Sequence, residues 1–254
     1  MKVRAIAVNT FREALRDKVL YSLVFFAFVM IFTSVILDHI TVGEQTKIIK
    51  DFGLAAISLF GVLVAIFVGI GLVYKEIERK TIYNILSKPV HRYQFIVGKY
   101  IGLVMTLGIV TGLMSLLFFL LLYCYEGRVD IVLLPAIGMI MLELMLVTAI
   151  ALLFSSFSTP ILSGLFTLSF YIIGHLTQDL LALGKRFSGT SLEYGATALY
   201  YLIPNLEYFN LKGTVVYHIH QTPQYYLFTV GYGLLYCLII ILLSVAIFQN
   251  RDFR

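Results

Sequence analysis

The chain has 254 residues, of which 60% are hydrophobic and 13% are charged, and its formal net charge at pH 7 is +5. This composition lies outside the range of soluble domains and indicates an integral membrane protein. The positive charge lies in the segments that flank the apolar blocks and forms no basic run interleaved with aromatic residues, so nucleic-acid binding is not expected.

The N-terminal segment predicts an amphipathic helix. Val3, Ala7 and Phe11 recur at helical spacing, whereas Arg4 and Arg12 fall on the remaining surface. Helices of this kind lie on the surface of a membrane, with the apolar side chains toward the lipid.

Six apolar blocks predict an all-α membrane protein with six transmembrane helices. A helix rises about 1.5 Å per residue, so about 20 apolar residues cross the hydrocarbon core of a bilayer. Thr159 and Pro160 are predicted to start the fifth helix, because Thr favours the N-cap and Pro the first helical position. The predicted spans, within a single transmembrane domain of residues 1–254, cover about 19–37, 52–74, 100–125, 131–154, 160–180 and 225–248.

The distribution of Lys and Arg predicts the orientation of the chain. Thirteen of the 19 basic residues precede the first span, lie between spans two and three, or follow span six. Cytoplasmic segments of membrane proteins carry an excess of Lys and Arg, so both termini are expected in the cytoplasm. The first outer loop, residues 38–51, is too short to form a large extracytoplasmic domain.

The longest connection, about residues 177–224, is expected on the outer side. Its stretch ATALYYLIPNLEYF, residues 196–209, is rich in aliphatic residues and tyrosine. These residues predict short helices that lie in the membrane interface or dip into it.

The sequence contains no motif for nucleotide binding or catalysis. It lacks GxxxxGK[ST] and HExxH, and no Ser-His-Asp or paired-carboxylate arrangement can be placed. We therefore expect no catalytic residue and no cofactor bound by this chain. Cys124 and Cys237 lie in apolar blocks without metal-ligand spacing and are expected to be packing residues.

Glu143 interrupts the fourth predicted span near its middle. A charged carboxylate at this depth costs about 2.5 to 3.5 kcal/mol, so Glu143 is expected to face the interior of the helix bundle. It is either a carboxylate on a substrate or proton path, or a protonated or hydrogen-bonded residue that fixes helix packing. No basic partner is predicted at the same depth.

Four histidines are predicted on or near the outer side, and two of them form an HxH pair. They are expected to be solvated surface residues, and metal binding is a weaker alternative. The four are His39, His175, His218 and His220.

Four glycines give two GxxxG spacings at the start of the third predicted span. Small residues at this spacing let helices approach closely, either within one subunit or between subunits. The glycines are Gly98, Gly102, Gly108 and Gly112.

The loop between spans two and three is predicted to hold two helices. Glu76 and Lys80 pair at i,i+4 on a helix that continues the second span to about Leu86, and Pro89 ends this helix. A second helix from about Val90 leads into the third span. We call residues 76–95 the cytoplasmic knob; the alternative is a solvated connector.

Several motifs, in chain order, resemble the permease subunits of type-two ATP-binding-cassette exporters, particularly the branch that includes the permease of the nitrous oxide reductase maturation system. FREALRDKVLYSL, residues 11–23, resembles the N-terminal elbow helix of that branch. EIERKTIYNILSKPVHRYQFIVGKYIG, residues 76–102, is similar to its E-x-x-x-x-T, L-L-S-x-P-V-x-R and G-K run. LFSSFSTP (153–160), YLIPNLEYFNLKG (201–213) and FQNRDFR (248–254) resemble its second cytoplasmic turn, outer re-entrant segment and basic end.

The resemblance implies an exporter in the cytoplasmic membrane of a prokaryote. Two permease subunits, this chain with a second copy or a homologue, would bind two copies of a separate ATPase that holds ATP and Mg²⁺. The cytoplasmic knob would sit in a groove of the ATPase and couple ATP hydrolysis to export. The coupling positions carried over are Glu76, Thr81, Leu86, Ser87, Pro89 and Arg92.

Two other functions remain open at this point. One is a maturation or force-transmitting module that docks an extracytoplasmic metalloprotein partner. The other is a stand-alone channel or secondary transporter, for which Glu143 would be the coupling group. For an exporter, a lipid-linked, peptide or drug-like substrate is favoured, because the spans lack the charges typical of an ion path.

Overall fold

The computed structural model describes residues 2–38, 45–78, 91–127, 130–186, 191–217, 219 and 221–249, with the backbone alone at 34–38, 45, 73, 75–78, 191 and 192. Within these ranges the chain forms helices and short connections, and no strand. The α-helices are α1 (Lys2–Ala14), α2 (Lys18–Asp38), α3 (Gln45–Glu78), α4 (Arg92–Glu126), α5 (Leu134–Ser155), α6 (Pro160–His175), α7 (Thr177–Arg186), α8 (Ser191–Leu202), α9 (Lys212–Val216) and α10 (Pro223–Gln249). Two 3₁₀ helices, Ile131–Leu133 and Leu206–Phe209, precede α5 and α9.

Helices α3 and α5 form the centre of the bundle. The most apolar stretches of α3 and α5 are 72% and 67% buried within the chain, whereas that of α10 is 22% buried. Helix α3 packs against α2, α4, α5 and α6, and α10 packs against α4 and α5. The apolar surface of α10 that this chain leaves exposed is therefore available to lipid or to another subunit.

Among the residues that the structure describes, four helical stretches are long and apolar enough to cross a membrane. They are Thr46–Leu72, Arg92–Glu126, Ile131–Ser155 and Pro223–Gln249. Counting the bent pair of α6 and α7 as one span gives five. The apolar helix Lys18–Thr33, within α2, falls below the length of these stretches, so the predicted count of six is not reached by length and composition alone.

The fifth predicted span, about 160–180, is not one straight helix. Helix α6 ends at His175, and α7 continues at an angle of 66° to it. Gly174 at this bend is buried, and a Cβ atom there would lie 2.7 Å from the side chain of Leu206 and 3.1 Å from the carbonyl oxygen of Pro204. The stretch after α8 thus packs tightly against the end of α6. The absence of a Cβ atom at Gly174 provides the space for this contact.

Helices α3 and α4 both extend beyond their predicted spans. Helix α3 begins at Gln45, so Lys47 and Lys50 lie on a helix rather than in the predicted outer loop. Helix α4 begins at Arg92 and continues without a break to Glu126. Part of the cytoplasmic knob, residues 79–90, lies outside the described residues.

The turn between α5 and α6 has the predicted form. Helix α5 ends at Ser155, and α6 begins at Pro160 with Thr159 at the N-cap position in extended conformation. The Thr159 side chain makes no capping hydrogen bond, so the fixed φ of Pro160 is the main local signal for the helix start.

Helix α1 packs along the start of α4. A Cβ atom at Gly102 would lie 2.6 Å from both the carbonyl oxygen of Ala7 and the Cβ atom of Thr10, and one at Gly98 would lie 2.8 Å from Ile6. The first GxxxG spacing therefore forms a seam within one subunit.

Candidate functional site: a buried carboxylate, histidine and carboxylate

Glu143 lies inside the bundle, as its position in the sequence predicts. Glu143 lies nine residues after Leu134, the first residue of α5, and no part of its side chain is exposed. A carboxylate that is removed from water needs a charged or hydrogen-bonding partner, because isolated burial costs several kcal/mol.

His175, the last residue of α6, is that partner. Its Nε2 atom lies 2.8 Å from Oε1 of Glu143, and 19% of its side chain is exposed. The expectation that no basic residue lies at the depth of Glu143 is therefore wrong. The contact is not evident from the sequence, which places His175 near the outer end of the fifth predicted span. In the structure α6 ends at His175, and this residue lies beside the middle of α5.

Glu207 completes a chain of three side chains. Its Oε2 atom lies 3.1 Å from Nδ1 of His175, so the imidazole ring is held between two carboxyl groups. The Glu207 side chain is 40% exposed, whereas that of Glu143 is fully buried. The cluster thus joins the interior of the bundle to solvent.

The 3₁₀ helix Leu206–Phe209 positions Glu207. Asn205 precedes this helix, and its Oδ1 atom accepts a hydrogen bond from the backbone N–H of Glu207 at 3.0 Å. The N–H of Asn205 donates to the hydroxyl of Tyr232 on α10 at 2.8 Å, and Nδ2 of Asn210 donates to Oε1 of Glu207 at 2.9 Å. The sequence IPNLEYFN thus fixes the carboxyl group by local hydrogen bonds and one anchor on α10.

Tyr171 packs beside His175, one turn earlier on α6. The two rings make an edge contact with centroids 4.8 Å apart. The Tyr171 hydroxyl interacts with Glu143 and with Ser58 on α3. Side chains from α3, α5, α6 and the second 3₁₀ helix therefore meet at this point.

A polar cavity of about 530 Å³ opens beside the cluster. Lys212 of α9 is one of the residues that line the cavity. It is half-buried and interacts electrostatically with both Glu143 and Glu207. Burial lowers the pKa of Lys212 below its ordinary value, although the two carboxylates oppose that effect. The cavity is lined by Tyr171, His175, Leu176, Gln178, Asp179, Glu207, Asn210 and Lys212.

A second buried charge cluster joins α3 to the connection between α4 and α5. Lys50 is 5% exposed, and its Nζ atom lies 2.8 Å from Oδ2 of Asp130 and 3.1 Å from Oε1 of Glu126. Asp130 also accepts a hydrogen bond from the N–H of Val132 and so caps the first 3₁₀ helix. This cluster joins the start of α3 to the end of α4 and to the connection that follows it.

Arg92 is the one predicted coupling residue whose side chain is described. Its guanidinium donates to the carbonyl oxygens of Phe248 at 3.2 Å and Gln249 at 2.6 Å. These carbonyls end α10, where a cation offsets unpaired acceptors and the helix dipole. The backbone of Glu76 lies in α3, and Thr81, Leu86, Ser87 and Pro89 lie outside the described residues.

Of the four histidines considered for metal binding, the structure describes His175 alone. Both of its ring nitrogens face carboxyl groups. Across the described part of the chain, no three His, Cys, Asp or Glu side chains are grouped in a way that could hold a metal ion. His39, His218 and His220 lie outside that part.

The sequence gives little warning of Glu207, Lys212, Tyr171 or Lys50. Each lies in or next to a segment predicted as a loop, a membrane-interface segment or a transmembrane span. The one signal in the sequence is the presence of charged residues within a strongly apolar stretch, as Glu207 and Lys212 in YLIPNLEYFNLK. Such charges need partners if the stretch is buried.

The architecture is that of an all-helical membrane protein with long apolar helices and a polar cluster inside the bundle. The chain belongs to the ABC-2 family transporter proteins, whose family pattern matches it over residues 4–253. No curated protein matches the chain. Membership of this family makes it a multi-pass membrane protein of the kind that serves as the permease of an ABC transporter.

Proposed function

We propose that this chain is the permease subunit of an exporter in a prokaryotic cytoplasmic membrane, driven by ATP hydrolysis in a separate ATPase. The observation that carries the proposal is the family match over almost the entire chain. The absence of a phosphate-binding motif from the sequence supports it, because ATP must then be bound by a partner.

In this proposal the ATPase binds at the cytoplasmic knob. Helix α4 runs from Arg92 to Glu126 as one rod, so a displacement at its cytoplasmic end is transmitted across the membrane. Arg92 also holds the end of α10 through two carbonyl oxygens. A movement of the knob is therefore shared by α4 and α10.

We further propose six crossings, with α2 and the pair α6 and α7 completing the set. Helix α2 spans 21 residues, about 30 Å at 1.5 Å per residue, which suffices for a crossing. The buried stretch from Ile203 to Leu206 packs against the end of α6, as a re-entrant segment would.

A second permease subunit is expected to cover exposed apolar surface. On α4, a Cβ atom at Gly112 would have open space around it and one at Gly108 would lie 3.7 Å from the Met141 side chain, beside the exposed Met105, Ile109 and Leu116. A close helix contact between subunits fits such a face. Two ATPase copies would then meet two knobs.

One alternative gains support from the structure. In a stand-alone secondary transporter, Glu143 would be the coupling group, and its contact with His175 connects it to the polar cavity. Transport that continues without any ATPase would favour this function. The maturation module stays a prediction, since the HxH pair that suits it lies outside the described residues.

The test is assembly with a candidate ATPase. We expect Leu86→Asp and Arg92→Glu to weaken co-purification and to lower permease-stimulated ATP hydrolysis, because a residue central to an interface contributes about 2 kcal/mol or more. Pull-down in detergent and ATP hydrolysis in vesicles measure the two effects.

The matched control is Arg186→Glu, an equal charge change on an exposed residue at the end of α7. Thermal unfolding separates a folding defect of Arg92→Glu, which also loses its contact with α10, from a coupling defect. If both knob variants assemble and stimulate hydrolysis like the wild type, the knob is not the coupling element.

A further inference from the structure

The chain of Glu143, His175 and Glu207 contains two close contacts between an imidazole nitrogen and a carboxyl oxygen, at 2.8 and 3.1 Å. Each contact is a hydrogen bond only if one proton lies between its two atoms. An ionised carboxylate accepts hydrogen bonds but donates none, and a neutral imidazole carries one N–H. Two contacts therefore need two protons, one more than a neutral His175 between two ionised carboxylates supplies.

We propose that these three side chains form a proton-binding site that is loaded from the polar cavity and that controls how firmly the second 3₁₀ helix is held on the bundle. The extra proton resides on His175 as an imidazolium, or moves from Nε2 to Oε1 of Glu143, with the Nδ1 proton remaining toward Glu207. Both arrangements carry the same total charge, so the proton can shift between them without any other reactant.

The surrounding charges favour the loaded state. With the proton bound, Glu143, His175 and Glu207 together carry a charge of −1, and the half-buried Lys212 balances it. Loss of the proton leaves an excess negative charge in a poorly hydrated place. The titratable or charged groups that face His175 or line its cavity are Glu143 from α5, Tyr171 from α6, Asp179 from α7, Glu207 from the second 3₁₀ helix and Lys212 from α9.

Burial decides which contact is lost when the proton leaves. The single remaining N–H can serve one carboxylate, and the other then faces a nitrogen lone pair. Glu143 has no exposed surface and cannot be hydrated, whereas the Glu207 side chain is 40% exposed. The N–H therefore stays with Glu143, and Glu207 turns to water together with its partner Asn210.

The sign of the pH dependence follows from this order. The loaded cluster is complete at low pH, and the contact between Glu207 and His175 is lost as pH rises through the titration of the cluster. The proton in question comes from water in the cavity, so the effect needs neither the ATPase nor ATP. Failure of this inference leaves the proposed permease function untouched.

Hydrogen exchange tests the site directly. In the purified full chain, we expect the amide protection of residues 206–216 to fall on the order of tenfold as pH rises, after correction for intrinsic exchange, because a hydrogen bond to a charged group shifts an equilibrium by about that factor.

Two variants should remove the pH dependence. In Glu143→Gln the new amide donates to Nε2 while Nδ1–H serves Glu207, and in Glu207→Gln the roles of the two nitrogens are reversed. Both contacts then form without an extra proton, so protection should be flat with pH. Glu193→Gln, the same change on α8 away from the cluster, should titrate like the wild type.

The outcomes decide the proposal one way or the other. A pH-dependent wild type with two flat variants supports it. Protection that is independent of pH in the wild type, or variants that keep the wild-type pH dependence, would overturn it. Because the two variants act on different helices, a folding failure of one leaves the other as a test.

Discussion

Lys50 shows how one buried side chain joins the ends of helices in this bundle. Its ammonium lies within 3.1 Å of carboxylate oxygens from Glu126 and Asp130, and these carboxylate side chains are 8% and 16% exposed. Lys50 lies near the start of α3, Glu126 ends α4, and Asp130 lies in the connection that follows α4. A buried ion pair of this kind contributes little net stability, but removal of one partner is costly.

We predict that Lys50→Met destabilises the protein by about 3 to 5 kcal/mol, because two largely buried carboxylates then repel each other. Thermal unfolding in detergent measures the loss. The stability of the variant should recover as pH falls, since protonation removes the repulsion. Lys47→Met is the control, because Lys47 lies over the ring of Tyr217 at 5.1 Å and such a contact contributes only about 0.5–1 kcal/mol. Equal effects of the two substitutions would contradict the assignment.

At the scale of elements, the packing of α1 on α4 depends on glycine. Gly98 and Gly102 let the backbone of α1 approach, and Lys99 between them is buried with its Nζ atom 3.7 Å from Oε2 of Glu13. Residues of α1 opposite this contact, Arg4 and Arg12, are exposed. The helix therefore has one face fixed on the bundle and another face with exposed basic residues.

We predict that Gly102→Ala loosens α1, because the new methyl group would lie 2.6 Å from the Ala7 carbonyl oxygen and the backbone must shift. The expected cost is about 1–3 kcal/mol, as for other overpacked contacts. Faster tryptic cleavage at the arginines of α1 measures the loosening. Gly138→Ala on α5 is the control, since nothing lies within 4 Å of its added Cβ atom. Cleavage of Gly102→Ala at the wild-type rate would argue against the seam.

At the scale of the whole molecule, the sequence predicts the helices that a bilayer dictates. The fourth span, Ile131–Ser155, and the start of α6 at Pro160 lie where apolar length and proline chemistry place them. Contacts between distant segments are not predictable in this way. His175 contacts Glu143 because α6 ends at His175 and the later stretch that contains Pro204 and Leu206 packs against Gly174.

The same limit applies to the residues of the candidate site. Glu143 can be identified as a candidate from the sequence, because a carboxylate within a transmembrane span costs free energy whichever way the helix is rotated. Glu207 and Lys212 lie in a segment of mixed polarity, and their role depends on the fold of residues 203–216 against α3, α5, α6 and α10. Helix propensity and hydropathy describe each segment alone. They therefore do not predict that residues 203–216 pack beside Glu143 and His175.

The central claim is that ATP bound by a partner rearranges this permease from the knob to the polar cavity. Asp179 lines the cavity, so a thiol probe attached to Asp179→Cys reports on the accessibility of the cavity. The background carries Cys124→Ser, because Cys124 is exposed and would also be labelled, whereas Cys237 is buried. We measure the labelling rate of Asp179→Cys in vesicles that contain the permease and the ATPase, with and without ATP. ATP should change the rate severalfold, and Leu86→Asp should abolish the change, because a nucleotide shifts an equilibrium only through differential affinity for its two states. An unchanged labelling rate while the bound ATPase hydrolyses ATP would contradict the claim.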